Sequence, residues 1–282
     1  MTFLISGATG TVGSRVVELL LKRGQRPRIF VRNAEKARAH YGDRVDIAVG
    51  DLTDTASLSN ALKGVESLFL ITSGPPLAQL DQEAATAANS AGVKHLVKLS
   101  SMDAQQSIGT GAWHARGEAA IRASGISFTF VQPTGFMSNA LEWAGSIKAE
   151  GVVRAPTGDG KIPFIHPDDI AAVAAEVLTS RKYLGESLPI TGLRALSYSE
   201  MTEQIAAAIG KPLRFEAVSD EYERQVMTKG GAPAPIIDAH ISIYRSIREG
   251  RLAKATDNVE TVLHRKPLCF AQWAQENAAA FR

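Results

Sequence analysis

Short apolar runs alternate with amphipathic stretches through the first half of the chain. The runs predict β-strands at the N-terminus and at residues 28–31, 45–49, 67–71, 95–99 and 128–131. Helices are predicted at about 55–62, 77–91 and 113–123, and a glycine closes each one, namely Gly64, Gly92 and Gly125. Repeated βαβ units with right-handed crossovers predict an α/β fold built on a doubly wound parallel sheet, with helices on both faces.

Three glycines follow the first apolar run at positions i, i+3 and i+6: Gly7, Gly10 and Gly13. Such a triplet is weak evidence alone, but here a strand precedes it and an amphipathic helix follows, as in a Rossmann fold. Gly7 allows a sharp turn, Gly10 lets the backbone approach a pyrophosphate, and Gly13 lets helix and sheet pack closely. The helix N-terminus then faces the phosphates. The predicted phosphate-binding residues are Gly7, Thr9, Gly10, Thr11, Val12 and Gly13.

The second strand ends at Arg32, where an acidic residue would select a cofactor without a 2'-phosphate. A guanidinium instead pairs with a phosphate through parallel charged hydrogen bonds, so NADP(H) is favoured over NAD(H). Lys36 and Arg38 lie one turn further on and either add positive potential or form an ordinary solvated helix face.

The ends of the other predicted strands are rich in small and polar residues, and ligands bind at this edge of such sheets. Asp51 either accepts a hydrogen bond from an adenine or caps the next helix. Ser100 and Ser101 either reach the nicotinamide or act as caps and turn formers. The cofactor-binding residues predicted here are Asp51, Leu52, Thr72, Ser73, Ser100, Ser101, Pro133 and Thr134.

Strict alternation fades after Gly135, which divides the chain into a cofactor domain (1–135) and a substrate-pocket region with a smaller, mostly helical C-terminal lobe (136–282), interleaved with the sheet. Met102, Phe136, Met137 and Asn139 are predicted to line the substrate pocket, with core packing as the alternative for Phe136 and Met137. A Gly/Pro-rich stretch at 230–235 predicts either a mobile loop or an inert connector.

Composition and charge indicate which partners and cofactors are not expected. The net charge is only +2 and no dense basic block occurs, so nucleic acid is not an expected partner. One cysteine excludes an internal disulfide, and the six histidines are scattered without a zinc-binding motif, so no metal is predicted. No apolar run is long enough to cross a membrane, and the chain enters its first strand without the pattern of a leader peptide, so we expect none. We expect a cytoplasmic monomer or homodimer with no membrane partner.

Several motifs together resemble the NmrA-like branch of the atypical short-chain dehydrogenase/reductases. They are residues 7–13 (GATGTVG), 50–52 (GDL), 100–101 (SS), 114–118 (HARGE), 124–133 (SGISFTFVQP) and 164–171 (FIHPDDIA). Within that branch the chain looks most like the NADPH-dependent quinone oxidoreductases and triphenylmethane reductases. The resemblance implies hydride transfer from NADPH to a quinone-like or other conjugated small molecule.

The helix after the fifth strand departs from the wider family. Most short-chain dehydrogenases carry a Tyr-x-x-x-Lys pair there, but these two positions fall on Thr110 and His114. Threonine has no acidic proton near neutral pH, so ordinary alcohol dehydrogenation is disfavoured, whereas a delocalised acceptor needs no strong acid. His114 remains the catalytic candidate, either binding the nicotinamide ribose or donating a proton, with Glu118 one turn away. A non-catalytic redox sensor is the main alternative, and an isomerase or dehydratase with a tightly held cofactor is the third.

Overall fold

The computed structural model describes all 282 residues. It contains eleven strands: β1 (Phe3–Ser6), β2 (Arg28–Val31), β3 (Asp46–Val49), β4 (Ser67–Leu70), β5 (His95–Leu99), β6 (Phe128–Pro133), β7 (Val152–Ala155), β8 (Lys161–Ile162), β9 (Ser187–Ile190), β10 (Leu196–Ser197) and β11 (Arg214–Ala217). It contains twelve α-helices: α1 (Gly13–Lys22), α2 (Ala34–Tyr41), α3 (Thr55–Ala61), α4 (Leu77–Ser90), α5 (Gly111–Ala123), α6 (Ala144–Glu150), α7 (Pro167–Thr179), α8 (Tyr198–Ile209), α9 (Asp220–Lys229), α10 (Ala234–Arg248), α11 (Asn258–Leu263) and α12 (Phe270–Glu276).

Seven strands form the central sheet in the order β3-β2-β1-β4-β5-β6-β9. Every pair from β3 to β6 is parallel. The inner strands β1, β4 and β5 are buried along their whole length, whereas β3, at the edge, is half-exposed. Burial on both faces explains why the inner strands have continuous apolar runs. The predicted doubly wound sheet is confirmed.

The chain forms two compact units that interleave in sequence. The first comprises residues 1–105, 112–132 and 170–188, and the second comprises 106–111, 133–169 and 189–282. Residues 170–188 lie after the expected division at residue 135, yet they belong to the first unit. Hydrogen bonds explain this assignment, because Arg23 on α1 contacts Ala175 and Thr179, and the Thr129 hydroxyl of β6 donates to the Tyr183 carbonyl.

The second unit has its own core of 21 buried residues, including Met137, Tyr198 and Trp273. Two small sheets lie within it, one pairing β7 with β11 in parallel and one pairing β8 with β10 antiparallel. The connector between α9 and α10 is shorter than the stretch 230–235 that the sequence predicts. Ala234 already begins α10, because Pro235 fits the first turn of a helix, where a missing N–H costs no hydrogen bond.

Candidate functional site

The carboxyl ends of β1 to β4 border a cleft of about 450 Å³ in the first unit. Strand order reverses between β1 and β4, and a parallel sheet opens a crevice at such a point. The cleft is lined by Ser6–Thr9 after β1, Arg32, Asn33 and Lys36 after β2, Gly50–Leu52 after β3, and Ile71–Ser73 after β4. Residues predicted from four separate strand ends are thus brought to one place.

The glycine-rich turn forms one wall of this cleft. Gly7 has φ +60°, a conformation that favours glycine, and its carbonyl accepts a hydrogen bond from the Gly10 N–H at 2.9 Å. A Cβ atom on Gly13 would lie 2.2 Å from the Gly7 carbonyl oxygen, so only glycine permits this approach. The N–H groups of Thr9, Thr11 and Val12 donate no hydrogen bond within the protein. These free amides beside the start of α1 suit an anionic ligand.

The opposite end of the cleft is basic. Arg32 and Lys36 are exposed, and their side chains form no salt bridge or hydrogen bond with the protein. Asn33 accepts the Lys36 N–H as the N-cap of α2, which fixes the backbone between them. Two cations without a protein partner therefore line the part of the cleft where the sequence predicts a 2'-phosphate. Arg38 is not among the lining residues.

Asp51 follows β3, the edge strand that pairs with β2. Its carboxylate accepts hydrogen bonds from the Thr53 N–H and hydroxyl, which together with the Arg32 charge hold its pKa below the usual range. The helix cap that sequence analysis considered for Asp51 is Asp54 instead, since Asp54 accepts from the Ala56 and Ser57 amides of α3. Asp51 and Leu52 both line the cleft.

Below Thr72 lies a buried ion pair that the sequence analysis did not identify. The Lys98 Nζ is 3.2 Å from the Asp81 carboxylate, and both side chains are completely inaccessible to solvent. Lys98 also donates to the Thr72 hydroxyl at 2.6 Å, and that hydroxyl donates to Asp81 at 2.7 Å. The only sequence signal is a lysine inside the otherwise apolar run of β5.

Ser100 and Ser101 have protein partners of their own. The Ser100 hydroxyl donates to Glu118 on α5 at 2.5 Å, and the Gln132 amide donates to the same carboxylate oxygen at 2.7 Å. Ser101 accepts the Asp103 N–H, so it acts as the turn former that the sequence analysis gave as its alternative. Glu118 is 5% exposed and pairs with Arg122 rather than with the His114 ring.

His114 lies one turn before Glu118 on α5. Its Nδ1 is buried and has no hydrogen-bond partner. Burial, and to a smaller extent the positive charge of Lys98, lowers the pKa of His114 to about 3. The imidazole is therefore neutral at physiological pH, which suits a hydrogen-bonding group better than a proton donor.

The residues lining the cleft do not include Gly10, Thr11, Val12, Gly13, Ser100, Ser101 or His114, nor the remaining predicted residues. Met102 begins a 3-10 helix, Met102–Gln106, in the first unit. Four others lie in the second unit: Pro133 ends β6, the Thr134 N–H donates to the Ile190 carbonyl, Phe136 forms a bridge with Ile165, and Asn139 is exposed. Met137 is 1% exposed within the core of the second unit, which agrees with the packing alternative.

No group of three or more His, Cys, Asp or Glu side chains is arranged to hold a metal ion. None of the helices combines the length and the apolar character needed to span a bilayer.

The sheet order, the glycine-rich turn and the position of the cleft define a Rossmann-type α/β protein of the dinucleotide-binding class. The chain belongs to the NmrA-like family, whose sequence model matches residues 1–270. The family predicted from the sequence motifs is thereby confirmed.

Individual relatives are similar along nearly the whole chain. An NAD(P)H azoreductase from Xenophilus azovorans is 37% identical over 281 residues, covering 99% of this chain and 98% of the relative. A (4-alkanoyl-5-oxo-2,5-dihydrofuran-3-yl)methyl phosphate reductase from Streptomyces griseus is also 37% identical, over 282 residues, with the same coverage. The crystal structure of an NADPH-dependent quinone oxidoreductase from Escherichia coli in complex with NADPH superposes with a TM-score of 0.89 at 26% identity, covering 98% of this chain and 99% of that one.

Proposed function

We propose that this protein is an NADPH-dependent reductase that transfers hydride to a quinone-like or other conjugated small molecule. Its relatives are named as reductases of azo compounds, of a dihydrofuranone phosphate and of quinones. Each of these acceptors can take an incoming electron pair into a conjugated system.

One observation carries the choice of cofactor. The free backbone amide of Thr9 belongs to a residue that lines the cleft, and those of Thr11 and Val12 follow at the start of α1. Two cations without a salt bridge line the cleft near the end of β2. Amides at a helix start bind a pyrophosphate, while a guanidinium and an ammonium group bind a further phosphate. A cofactor with phosphates in both positions fits this arrangement, and NADP(H) has them.

Different residues around the cleft would bind different parts of this cofactor. The glycine-rich turn would hold the pyrophosphate, Arg32 and Lys36 the 2'-phosphate, and Asp51 with Leu52 the adenine. Residues 71–73 form the wall after β4 and would contact the cofactor toward its nicotinamide end. When bound, NADPH supplies the hydride, whereas the protein contributes orientation and exclusion of water.

The neutral imidazole of His114 supports a conjugated acceptor rather than an alcohol or simple carbonyl. An imidazolium whose pKa is about 3 is already deprotonated at pH 7, so His114 has no acidic proton to give to an alkoxide-like intermediate. Its neutral ring can instead donate a hydrogen bond to the cofactor or the acceptor. Acceptors that spread the incoming charge over a conjugated system need no stronger acid.

Calorimetric titration with NADPH and NADH tests the cofactor assignment. We expect wild type to prefer NADPH, and Arg32→Ala to weaken NADPH binding by roughly 10- to 100-fold while leaving NADH binding within about twofold. Arg38→Ala is the matched control, because Arg38 lies on the same helix as Lys36 but does not line the cleft. An unchanged preference in Arg32→Ala would contradict the assignment.

Turnover separates the reductase from its alternatives. We expect purified protein to oxidise NADPH steadily with benzoquinones, naphthoquinones or azo dyes. Tight dinucleotide binding without turnover, together with a co-purifying protein, would favour a redox sensor. Product formation without net NADPH consumption would favour an isomerase or dehydratase. A cytoplasmic location and a monomer or homodimer remain predictions from the sequence.

A further inference from the structure

Three residues from three different elements meet in a closed polar cluster beneath the cleft. Lys98 comes from β5, Asp81 from α4 and Thr72 from the end of β4. Lys98 and Asp81 are 0% exposed and Thr72 is 7% exposed. Burying two charges costs free energy that a well-packed apolar pair would avoid, so this pair is weak evidence for stability alone. Its position next to a cleft residue points to another role.

The cluster fixes Thr72 in one orientation. Its hydroxyl accepts a hydrogen bond from Lys98 at 2.6 Å and donates one to Asp81 at 2.7 Å, so its single proton is already committed. Thr72 lines the cleft together with its neighbours Ile71 and Ser73. Because Lys98 and Asp81 fix the Thr72 side chain, they also fix the cleft wall that follows β4.

A close approach between helices keeps Asp81 in place. A Cβ atom on Gly117 would lie 2.1 Å from the second carboxylate oxygen of Asp81, so α5 passes α4 at a distance that only glycine allows. That oxygen has no hydrogen-bond partner. Asp81 is thus confined between α5 and Lys98, and its other carboxylate oxygen accepts the hydrogen bond from the Thr72 hydroxyl.

We propose that Lys98 and Asp81 are positioning residues for the cofactor cleft, which fix its wall through Thr72. This role rests on the proposed function, because the ligand used to test it is NADPH. Neither residue is placed in contact with the cofactor or the acceptor.

The test compares a double variant, Lys98→Met with Asp81→Leu, to wild type. Removing both charges together avoids leaving one buried and unpaired, so the protein is expected to fold. We expect its Kd for NADPH to rise about fivefold or more, the equivalent of one lost hydrogen bond at Thr72. Thr72→Val should reproduce this loss, and Thr72→Ser, which keeps the hydroxyl, should restore wild-type affinity.

Thr129→Val is the control for general destabilisation, because Thr129 is buried as well but bonds to His95 and Tyr183 instead. We expect it to bind NADPH with wild-type affinity.

The possible outcomes separate the two proposals. A folded double variant, or a folded Thr72→Val variant, that binds NADPH within twofold of wild type overturns the positioning role. Wild type that binds no dinucleotide overturns the proposed function, and with it the positioning role that rests on it.

Discussion

Tyr41 donates a hydrogen bond from its phenol to the backbone carbonyl of Ala8, at 2.5 Å and across 33 residues of sequence. The Tyr41 side chain is 1% exposed, and burial raises its pKa to about 12. It therefore stays protonated and remains a donor at any physiological pH. Because Ala8 lies inside the glycine-rich turn, this bond ties the end of α2 to the phosphate-binding backbone.

We predict that Tyr41→Phe loosens the glycine-rich turn without changing the residues that line the cleft. The Ala8 carbonyl loses its partner, so unfolding free energy should fall by about 1–2 kcal/mol. The Kd for NADPH should rise by roughly three- to tenfold, because a mobile turn must be ordered on binding. Tyr222→Phe, at an exposed tyrosine, is the control. Unchanged affinity in Tyr41→Phe would show that the turn needs no such support.

A second prediction concerns the close approach of Gly13 to Gly7. In Gly13→Ala the new Cβ would lie 2.2 Å from a backbone oxygen, so the start of α1 must move. We expect NADPH binding to fall by about 100-fold or more and stability to fall by roughly 2 kcal/mol or more. Calorimetry and urea unfolding measure the two effects.

Gly145→Ala provides the matched control for that helix substitution. Nothing lies within 4 Å of a Cβ at Gly145, and the residue is part of α6. Alanine is favoured over glycine in a helix by about 1 kcal/mol, so this variant should be neutral or slightly more stable. A similar loss of binding in both variants would contradict the proposed reason.

Periodicity predicted the first unit well because its strands are short, apolar and buried on both faces. The expected strands at Arg28–Val31 and His95–Leu99 have those bounds in the structure. The second unit was harder to predict, since β7 and β11 pair across about sixty residues and each has only four residues. Local patterns carry no information about such distant partners.

The residues of the candidate site likewise differ in how far the sequence alone predicts their roles. The glycine-rich turn and Arg32 could be predicted because their function depends on residue type directly beside a strand. The roles of Ser100 and Lys98 could not, since they depend on partners contributed by other elements, Glu118 and Asp81. The state of His114 likewise follows from burial, which one sequence position does not reveal.

His114 provides a third prediction, on the pH dependence of turnover. Because its pKa is about 3, the ring gains no proton between pH 5 and 8, and kcat should show no transition from this residue in that range. His114→Gln, which keeps a hydrogen-bond donor, should retain kcat within about threefold, and His114→Phe should lose roughly tenfold. A transition near pH 6 that vanishes in His114→Gln would instead identify the histidine as a proton donor.

The last prediction concerns acid stability and His95. Its Nε2 lies 2.9 Å from the Thr129 hydroxyl, which donates its own proton to the Tyr183 carbonyl, so the histidine must be the donor. Burial, with a smaller contribution from Arg181, lowers the His95 pKa to about 4. In the unfolded chain His95 binds a proton below about pH 6.5, whereas in the folded protein it binds one only below about pH 4. Stability should therefore be unaffected by this residue above pH 6.5 and should fall as the pH drops through that window.

Within that pH window, a histidine whose pKa is lowered by folding changes the unfolding free energy by up to about 1.4 kcal/mol per pH unit. His95→Gln keeps a donor for Thr129 but cannot titrate, so we expect stability at pH 7 to fall by at most about 1 kcal/mol. Between pH 6 and 5 its unfolding free energy should decline less steeply than that of wild type, by about one proton. Urea unfolding at several pH values measures both slopes, and His40→Gln, at an exposed histidine, is the control. Parallel slopes for His95→Gln and wild type would mean that folding does not lower the pKa of His95.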